Sequence, residues 1–159
     1  MDKWTPERVA HELLAVVPLL TRIVAAEVRR EAGDDTTMQQ FRVLTHLAEG
    51  VLTVSGLARR RRVTLQAMGE LVQMLVERGW IVRTPDPSDR RQQLLTLTEH
   101  GQRHYERVQA RVLDQIVPLL ARLDTRETAA VQAALPALRR VFAGDEESLD
   151  DGRRPATGD

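Results

Sequence analysis

The sequence predicts a mainly α-helical fold that carries one small β-hairpin. Apolar residues recur at three- and four-residue spacing in residues 5–32 and again in residues 99–122, which is the period of an amphipathic helix. Residues 80–97 contain two short runs of β-favouring residues with turn-forming residues between them. The sequence therefore places long helices at both ends of a shorter central region that holds the hairpin.

Capping signals mark the beginning of the first two helices. Thr5 can cap the first helix, and Pro6 suits the first helical position. Pro18 lies within the same apolar pattern and is expected to kink the helix. The Thr-x-x-Gln sequence of residues 36–39 is a capping box, and it predicts a second helix that ends at Gly50.

Two short helices are predicted between the second helix and the hairpin. Residues 51–53 can form a short strand, and Thr53 or Ser55 then caps a third helix that reaches residue 61. A turn at residues 62–63 leads to Thr64, which caps a fourth helix with its expected stop at Gly79. The predicted buried face of the fourth helix consists of Met68, Leu71, Val72 and Leu75.

The hairpin follows the fourth helix directly. Residues 80–84 form its first predicted strand, residues 85–89 its turn, and residues 94–97 its return strand. Arg90 and Arg91 lie on the far side of the turn. A hairpin that carries paired arginines and follows two short helices indicates a winged helix-turn-helix, which is a DNA-binding arrangement.

Two further helices are predicted after the hairpin. The fifth begins at a cap on Thr98 and runs from about residue 99 to 122, and a capping box at residues 124–127 begins the sixth. The tail from Gly144 is charged and poor in apolar residues, so it is expected to be disordered. The apolar seam of the fifth helix is suited to a partner helix and consists of Tyr105, Val108, Val112, Ile116, Leu119 and Leu123.

Composition excludes several classes of function. The 159 residues contain no cysteine, which excludes disulfides, thiolate metal sites and thiol redox sensing. We find no glycine-rich phosphate loop and no nucleophile elbow, so neither an enzyme nor a bound cofactor is expected. His100 and His104 have the spacing of a metal pair but lack an obvious third ligand, so a polar helix start is the favoured interpretation and no metal site is predicted.

The sequence suggests an intracellular protein. We expect no run of the roughly 20 apolar residues that a membrane span needs, and the N-terminus has no signal-peptide pattern. The cytoplasm, at the nucleoid, is therefore the expected location, with no membrane partner.

Charge is distributed unevenly along the chain, although its formal sum is zero. Residues 59–91 hold eight arginines and four acids, a net charge of +4, whereas residues 144–159 hold six acids and two arginines, a net charge of −4. Because phosphate binding depends on local charge, the basic central segment is compatible with a nucleic-acid partner.

The region around the hairpin resembles the multiple-antibiotic-resistance regulator (MarR) family of winged-helix repressors. The match extends over about residues 36–101, and its order and spacing are more specific than any one piece. The matching features are Arg78-Gly79 followed by an apolar pair and Arg83, the turn residues Asp86, Asp89, Arg90 and Arg91, and Leu97-Thr98-x-x-Gly101.

The resemblance implies a homodimeric transcriptional regulator, a repressor, that binds a palindromic operator in double-stranded DNA. It implies a helical dimerisation region at residues 5–35 plus 99–143 and a winged helix-turn-helix domain at residues 36–98, and the charge pattern adds an acidic tail at residues 144–159. The outer helices match the family by pattern alone.

Base contacts are expected from the exposed face of the fourth helix. Gln66 or Gln73 could pair with adenine, and Thr64 could reach a phosphate or a base. Ser55, Arg61 and Arg62 complete the expected contacts on this side, with the arginines binding phosphates. The alternative interpretation is a solvated polar face that binds nothing.

The family resemblance also assigns roles in the wing. One of Arg90 and Arg91 would enter the minor groove, while Asp86 or Asp89 would pair with the other arginine and hold the shape of the wing. The alternative is an internal salt bridge without DNA contact, which we expect for one of the two arginines.

This sequence departs from the family in its fourth helix. The position of Gly69 is usually a small hydroxyl residue in the family, and that of Glu70 is often basic. These two departures keep open an alternative function, a winged-helix module that binds a protein partner instead of DNA.

A small-molecule effector is also implied by the resemblance. Family members are often released from DNA by small aromatic acids or other lipophilic anions, which bind between the dimerisation helices and the winged domain. His11, Arg22 and His46 are the candidate ligand-binding residues, and the alternative is that they are ordinary surface or structural residues.

Overall fold

The computed structural model describes the backbone of residues 5–32, 37–89 and 91–148, with side chains described in residues 5–30, 37–89 and 91–142. Six helices and three short strands occupy these ranges. In chain order they are α1 (Pro6–Ala32), α2 (Met38–Glu49), β1 (Leu52–Thr53), α3 (Val54–Arg61), α4 (Leu65–Glu77), β2 (Ile81–Pro85), β3 (Gln93–Leu97), α5 (Glu99–Leu120) and α6 (Thr125–Ser148). The predicted class, mainly α with a small hairpin, is confirmed.

Local capping explains where the first two helices begin. The hydroxyl of Thr5 accepts a hydrogen bond from the Arg8 amide at 3.4 Å, and α1 then runs through Pro18 without a break. The capping box of α2 is formed by Thr37 and Gln40, one residue later than predicted at residues 36–39. The sequence contains two overlapping Thr-x-x-Gln patterns, and burial of the Gln40 side chain selects the second.

The predicted caps of α3, α4 and α5 are confirmed. Thr53 caps α3 by accepting a hydrogen bond from the Gly56 amide at 3.0 Å, so Ser55 lies inside that helix. Thr64 caps α4 through the Ala67 amide at 3.2 Å. Between them Arg62 adopts the left-handed conformation, with φ of 51° and ψ of 43°, which turns the chain sharply from α3 into α4.

The three strands form one antiparallel sheet in the order β1-β3-β2. Ile81 pairs with Leu97 and Pro85 with Gln93, so the first strand begins one residue later than predicted. Trp80 lies before the strand because its amide is still bonded to the Leu75 carbonyl of α4, at 3.0 Å. β1 extends the hairpin on its other side, and its pairing to β3 confirms the predicted short strand at residues 51–53.

A close backbone contact joins α5 to the end of α4. A Cβ atom on Gly101 would lie 2.0 Å from the Trp80 carbonyl oxygen, so only glycine permits this approach. The Thr98 hydroxyl accepts a hydrogen bond from the Gly101 amide at 2.9 Å and donates one to the Gly79 carbonyl at 2.5 Å. Gly79 itself has φ of +69°, a conformation that suits glycine after a helix end. The wing and α5 are thereby held together.

The core lies between the winged region and the adjoining parts of the outer helices. Each central element contributes to it, and the predicted buried residues of α4 belong to it, with Leu71 only partly buried. The fully buried side chains include Val28, Val43, Leu44, Leu57, Met68, Val72, Leu75, Ile81, Leu95 and Val108.

The apolar seam of α5 is divided between two environments. Tyr105, Val108 and Val112 are buried within the same chain, and the Tyr105 ring stacks on Phe41 of α2 at 5.7 Å. Leu119 remains 47% exposed. Helices α1 and α2 of the same chain therefore pack against the first half of the seam, and a contact of its second half with another chain stays a prediction.

α1 contains a segment that the sequence prediction missed. Residues Pro6–Arg30 are long and apolar enough to cross a membrane by length and composition, contrary to the expectation of no such run. A single helix of this kind is weak evidence for a membrane span. Its apolar side chains are largely exposed in the isolated chain, Leu14 to 73%, whereas Val28 near the end of the helix is fully buried.

The end of α6 also differs from the prediction. The helix backbone continues to Ser148, so the tail expected to be disordered from Gly144 is helical over its first part. The remainder of that tail, residues 149–159, lies outside the described residues.

Candidate nucleic-acid interface

α4 presents one polar and one apolar face. Met68, Val72 and Leu75 are buried, while Gln66, Glu70 and Gln73 are exposed on the other side of the helix. α3 and the sharp turn at Arg62 hold α4 in this orientation, and the helix-turn-helix pattern predicted from sequence is present.

The predicted base-reading amides already have partners within the protein. Gln66 Nε2 donates to Glu70 Oε1 at 3.1 Å, and Gln73 Nε2 donates to Glu77 Oε1 at 3.0 Å. The Arg83 guanidinium of β2 donates to Gln73 Oε1 at 3.1 Å. Both the nitrogen and the oxygen of the Gln73 amide thus have partners within the protein. Pairing with adenine would require these exposed hydrogen bonds to be replaced by bonds to the base.

Arg83 is a residue whose role sequence reasoning missed. Its place in the family pattern gives it no contact, yet it connects the wing to the exposed face of α4. Arg83 and Gln73 are ten residues apart in sequence, so no local periodicity brings them together. The signal that could have found the contact is the hairpin register, since β2 directly follows α4.

Hydrogen bonds of two aspartates shape the turn of the wing. Asp86 Oδ1 accepts from both the Ser88 amide, at 2.7 Å, and the Ser88 hydroxyl, at 2.6 Å. Asp89 accepts from the Arg91 amide at 3.0 Å and from Gln92 Nε2 at 3.1 Å. The hydrogen bonds from the Ser88 side chain and backbone lower the pKa of Asp86 below its ordinary value, so the ionised form of Asp86 is the one that holds the turn.

Of the two wing arginines, the structure describes Arg91 and not Arg90. Asp89 binds the backbone amide of Arg91, and within the described part of the chain the guanidinium of Arg91 makes no hydrogen bond or ion pair. This guanidinium is exposed and available to a ligand. Arg90 lies outside the described residues, so its predicted minor-groove contact and its pairing with Asp86 or Asp89 stay predictions.

A groove of about 330 Å³ brings several predicted residues together. It runs between the wing, the beginning of α3 and the beginning of α4, and it contains both Ser55 and Arg91. The Ser55 hydroxyl is 3.0 Å from that of Thr53. The groove is lined by Thr53, Val54, Ser55, Leu65, Arg91, Gln92 and Gln93.

The remaining predicted contacts lie around the α3–α4 turn. Arg62 and Thr64 are exposed, and Arg61 is half-buried. The Thr64 oxygen is engaged as the cap of α4, which leaves its hydroxyl proton to donate to an outside acceptor. The turn therefore offers cationic and hydroxyl groups beside the start of the exposed helix.

The three candidate effector residues do not converge in the chain. His11 and Arg22 are exposed on α1, eleven residues apart, which corresponds to about 16 Å along a helix. His46 is half-buried on α2. None of them lines the apolar pocket of about 720 Å³ between the first half of α1 and the second half of α6.

The histidines of α5 are placed by packing. His104 is buried and stacks on Trp80 with ring centroids 3.9 Å apart, and His100 meets the edge of the same indole at 6.5 Å. Within the described ranges, no group of three or more His, Cys, Asp or Glu residues could hold a metal ion.

Comparison of the sequence with known proteins identifies relatives. The model of the MarR family matches residues 34–92. An uncharacterized HTH-type transcriptional regulator of Mycobacterium bovis is 34% identical over 95 residues, which are 59% of this chain and 64% of that protein, so the match spans less than two thirds of that relative. An uncharacterized protein of Mycobacterium tuberculosis is 30% identical over 135 residues, 85% of this chain and 90% of that protein.

Solved structures share the fold. RV1404 from Mycobacterium tuberculosis has a TM-score of 0.76 at 26% identity, covering 89% of this chain and 97% of that one. A mutant MarR from E. coli complexed with operator DNA has a TM-score of 0.59 at 24% identity, with coverage of 85% and 99%. CouR from Rhodococcus jostii, bound to p-coumaroyl-CoA, has a TM-score of 0.69 at 23% identity, with coverage of 89% and 96%.

Proposed function

The chain belongs to the MarR family of DNA-binding transcriptional regulators, and from this premise we propose that it is a homodimeric, sequence-specific repressor. The main support for the proposal is the groove in which the exposed Arg91 guanidinium of the wing, which has no partner among the described residues, lies beside the start of α4. A helix and a cationic wing that meet at one surface can occupy adjacent grooves of a DNA duplex.

In the proposed complex α4 enters the major groove and the wing reaches the flanking minor groove. Arg91 supplies the cation that a narrow, electronegative minor groove attracts. Arg62 and Thr64 lie at the turn that precedes α4, where they approach the phosphate backbone. The side-chain amides of Gln66 and Gln73 are bonded to Glu70, Glu77 and Arg83. They contact bases only if these internal hydrogen bonds are replaced by hydrogen bonds to DNA.

Apolar surface on the outer helices supports the homodimer. In the isolated chain, Leu14 of α1 is 73% exposed and Phe142 of α6 is 63% exposed, and both line the pocket between these helices. Apolar side chains removed from water contribute about 25 cal/mol per Å², so a second copy that covers this surface would be strongly favoured. Twofold symmetry would then present two copies of α4 to the two halves of a palindromic operator.

Release by a small aromatic or lipophilic anion is the proposed regulation. CouR, which shares the fold, was solved with p-coumaroyl-CoA. His11 and Arg22 are too far apart along α1 to contact one small anion together in the same chain. A single site would therefore use one of them, or His46, with groups from a neighbouring helix. This role would place the protein in the cytoplasm, at the nucleoid.

In vitro selection of double-stranded DNA from a random pool tests the proposal. We expect enrichment of a palindrome whose half-sites lie about one helical turn apart, and two protein chains per duplex in sedimentation analysis. The selected site placed over a promoter should lower reporter transcription when the protein is expressed. Failure to enrich any sequence, together with DNA affinity that does not respond to salt, would instead favour a protein-binding module.

A further inference from the structure

Leu65 is an exposed apolar side chain at the place where a helix-turn-helix reads DNA bases. It is the first residue of α4, directly after the Thr64 cap, and 60% of its surface is exposed. No other large apolar residue of residues 37–100 in the described ranges is more exposed. An isolated exposed leucine is ordinary on a protein surface, so position and surroundings decide whether it has a role.

The polar side chains beside Leu65 are occupied within the protein. Gln66, the next residue, donates to Glu70, and Gln73 is bound by both Glu77 and Arg83. The Thr64 oxygen caps the helix. Leu65 can therefore meet a ligand without losing an internal hydrogen bond, whereas Gln66 and Gln73 cannot.

Space beside Leu65 is left open. Gly69 lies one turn further along the same side of α4, and a Cβ atom there would meet nothing within 4 Å. Glycine within a helix is less stable than alanine, and the packing of this protein gives no reason for glycine at position 69. An absent side chain at this position allows another molecule to approach the helix beside Leu65.

Leu65 also lines the groove that contains Arg91 and Ser55. If Arg91 binds the backbone or the minor groove of a DNA duplex, the edges of nearby bases come close to this end of α4. In the major groove the apolar group that distinguishes one base from the others is the C5-methyl of thymine.

We propose that Leu65 is a specificity-determining residue that contacts the C5-methyl group of one thymine in each half of the operator. The proposal rests on the proposed DNA-binding function and adds to it the base and the atom that are recognised. An apolar reader at this position would also explain how α4 recognises DNA while its glutamines are bound internally.

The test is a uracil scan of a DNA site selected by the wild-type protein. One thymine position at a time is replaced by deoxyuridine, in both half-sites of the same duplex. Deoxyuridine keeps the base-pairing edge of thymine and lacks only the methyl group. One methyl contact corresponds to about a fourfold change in affinity, or roughly fifteenfold for two half-sites. We expect one symmetry-related pair of thymines to show this loss with the wild-type protein.

Leu65→Ala should bind the thymine site more weakly and should not distinguish it from the uracil site. Met74→Ala is the matched control, because Met74 is an exposed apolar residue further along the same helix, and it should keep the wild-type sensitivity. DNA binding that is unaffected by every uracil, or equal sensitivity in Leu65→Ala, would overturn the thymine contact and leave the proposed function standing. Failure to select any DNA would overturn both.

Discussion

The indole ring of Trp80 stacks on the imidazole ring of His104, with centroids 3.9 Å apart and an interplanar angle of 13°. Trp80 lies between α4 and the wing, and His104 lies on α5. The Arg78 guanidinium lies 5.1 Å from the centroid of the same indole. This stack, together with the contact of Gly101 with the Trp80 backbone, fixes the wing against the outer helix. A shift of α5 would therefore be transmitted to the DNA-binding elements.

Removing the Trp80 ring should destabilise the fold strongly. Trp80 is buried and belongs to the core, so Trp80→Ala is expected to lower the free energy of unfolding by about 3–5 kcal/mol. Urea denaturation at one fixed protein concentration measures the change. Trp80→Phe keeps an aromatic partner for His104 and should lose clearly less. Equal, small losses for both variants would show that the stack is unimportant.

Two glycines should respond in opposite ways to the same substitution. At Gly101 a Cβ atom would lie 2.0 Å from the Trp80 carbonyl oxygen, so Gly101→Ala must displace α5 and destabilise the protein. At Gly69 nothing lies within 4 Å, so Gly69→Ala should stabilise α4 by about 0.5–1 kcal/mol. Thermal denaturation of both variants checks the signs.

The same Gly69→Ala variant should bind DNA more weakly despite its greater stability. The added methyl group would occupy the space through which DNA is proposed to approach Leu65. Fluorescence anisotropy with the selected operator measures the affinity. Unchanged or tighter binding would indicate that Gly69 does not face the duplex.

Acid should release the turn of the wing. The pKa of Asp86 is lowered by hydrogen bonds from Ser88, so its ionised form stabilises the folded turn. This stabilisation is present above the unfolded pKa of the carboxyl group and is lost as the pH falls through the lower, folded value. NMR titration should show that Ser88→Ala raises the pKa of Asp86 toward its ordinary value. An unchanged pKa would assign the shift to another cause.

A charge in the apolar pocket between α1 and α6 should disrupt the proposed dimer. Leu14→Glu places a carboxylate on a side chain that is 73% exposed in the isolated chain and lines this pocket. Sedimentation velocity should then show dissociation to monomers and a loss of operator affinity. Val82→Glu, on an exposed position of β2, is the control that should remain dimeric. Dimers that persist in Leu14→Glu would place the interface elsewhere.

Local signals in the sequence predicted most of the fold. Thr64 and Thr98 are recognisable as caps, and Thr53 as one of two candidates, because a hydroxyl oxygen three residues before a backbone amide is a local arrangement. The start of α2 was misplaced by one residue because two overlapping patterns are equivalent until Gln40 is buried. Helix periodicity identified the apolar seam of α5 but could not reveal that Tyr105 packs within its own chain.

The candidate site was less predictable than the fold. Its residue types and its helix were recognised, but side-chain pairing depends on contacts between elements. The bond from Arg83 to Gln73 exists only once β2 lies beside α4. The apolar character of α1 was underestimated because its exposed side chains are interspersed with charged residues such as Glu12 and Arg22.

The salt dependence of operator affinity, compared between the wild type and Arg91→Ala, tests the central claim most directly. Each cation removed from the protein–DNA interface should reduce the slope of log affinity against log salt concentration by about 0.9, or about 1.8 for the two wings of a dimer. Arg126→Ala, which removes an exposed arginine from α6, should leave the slope unchanged. We predict a weaker and less salt-sensitive complex for Arg91→Ala alone. Identical affinities and slopes for all three proteins would contradict DNA binding through the wing.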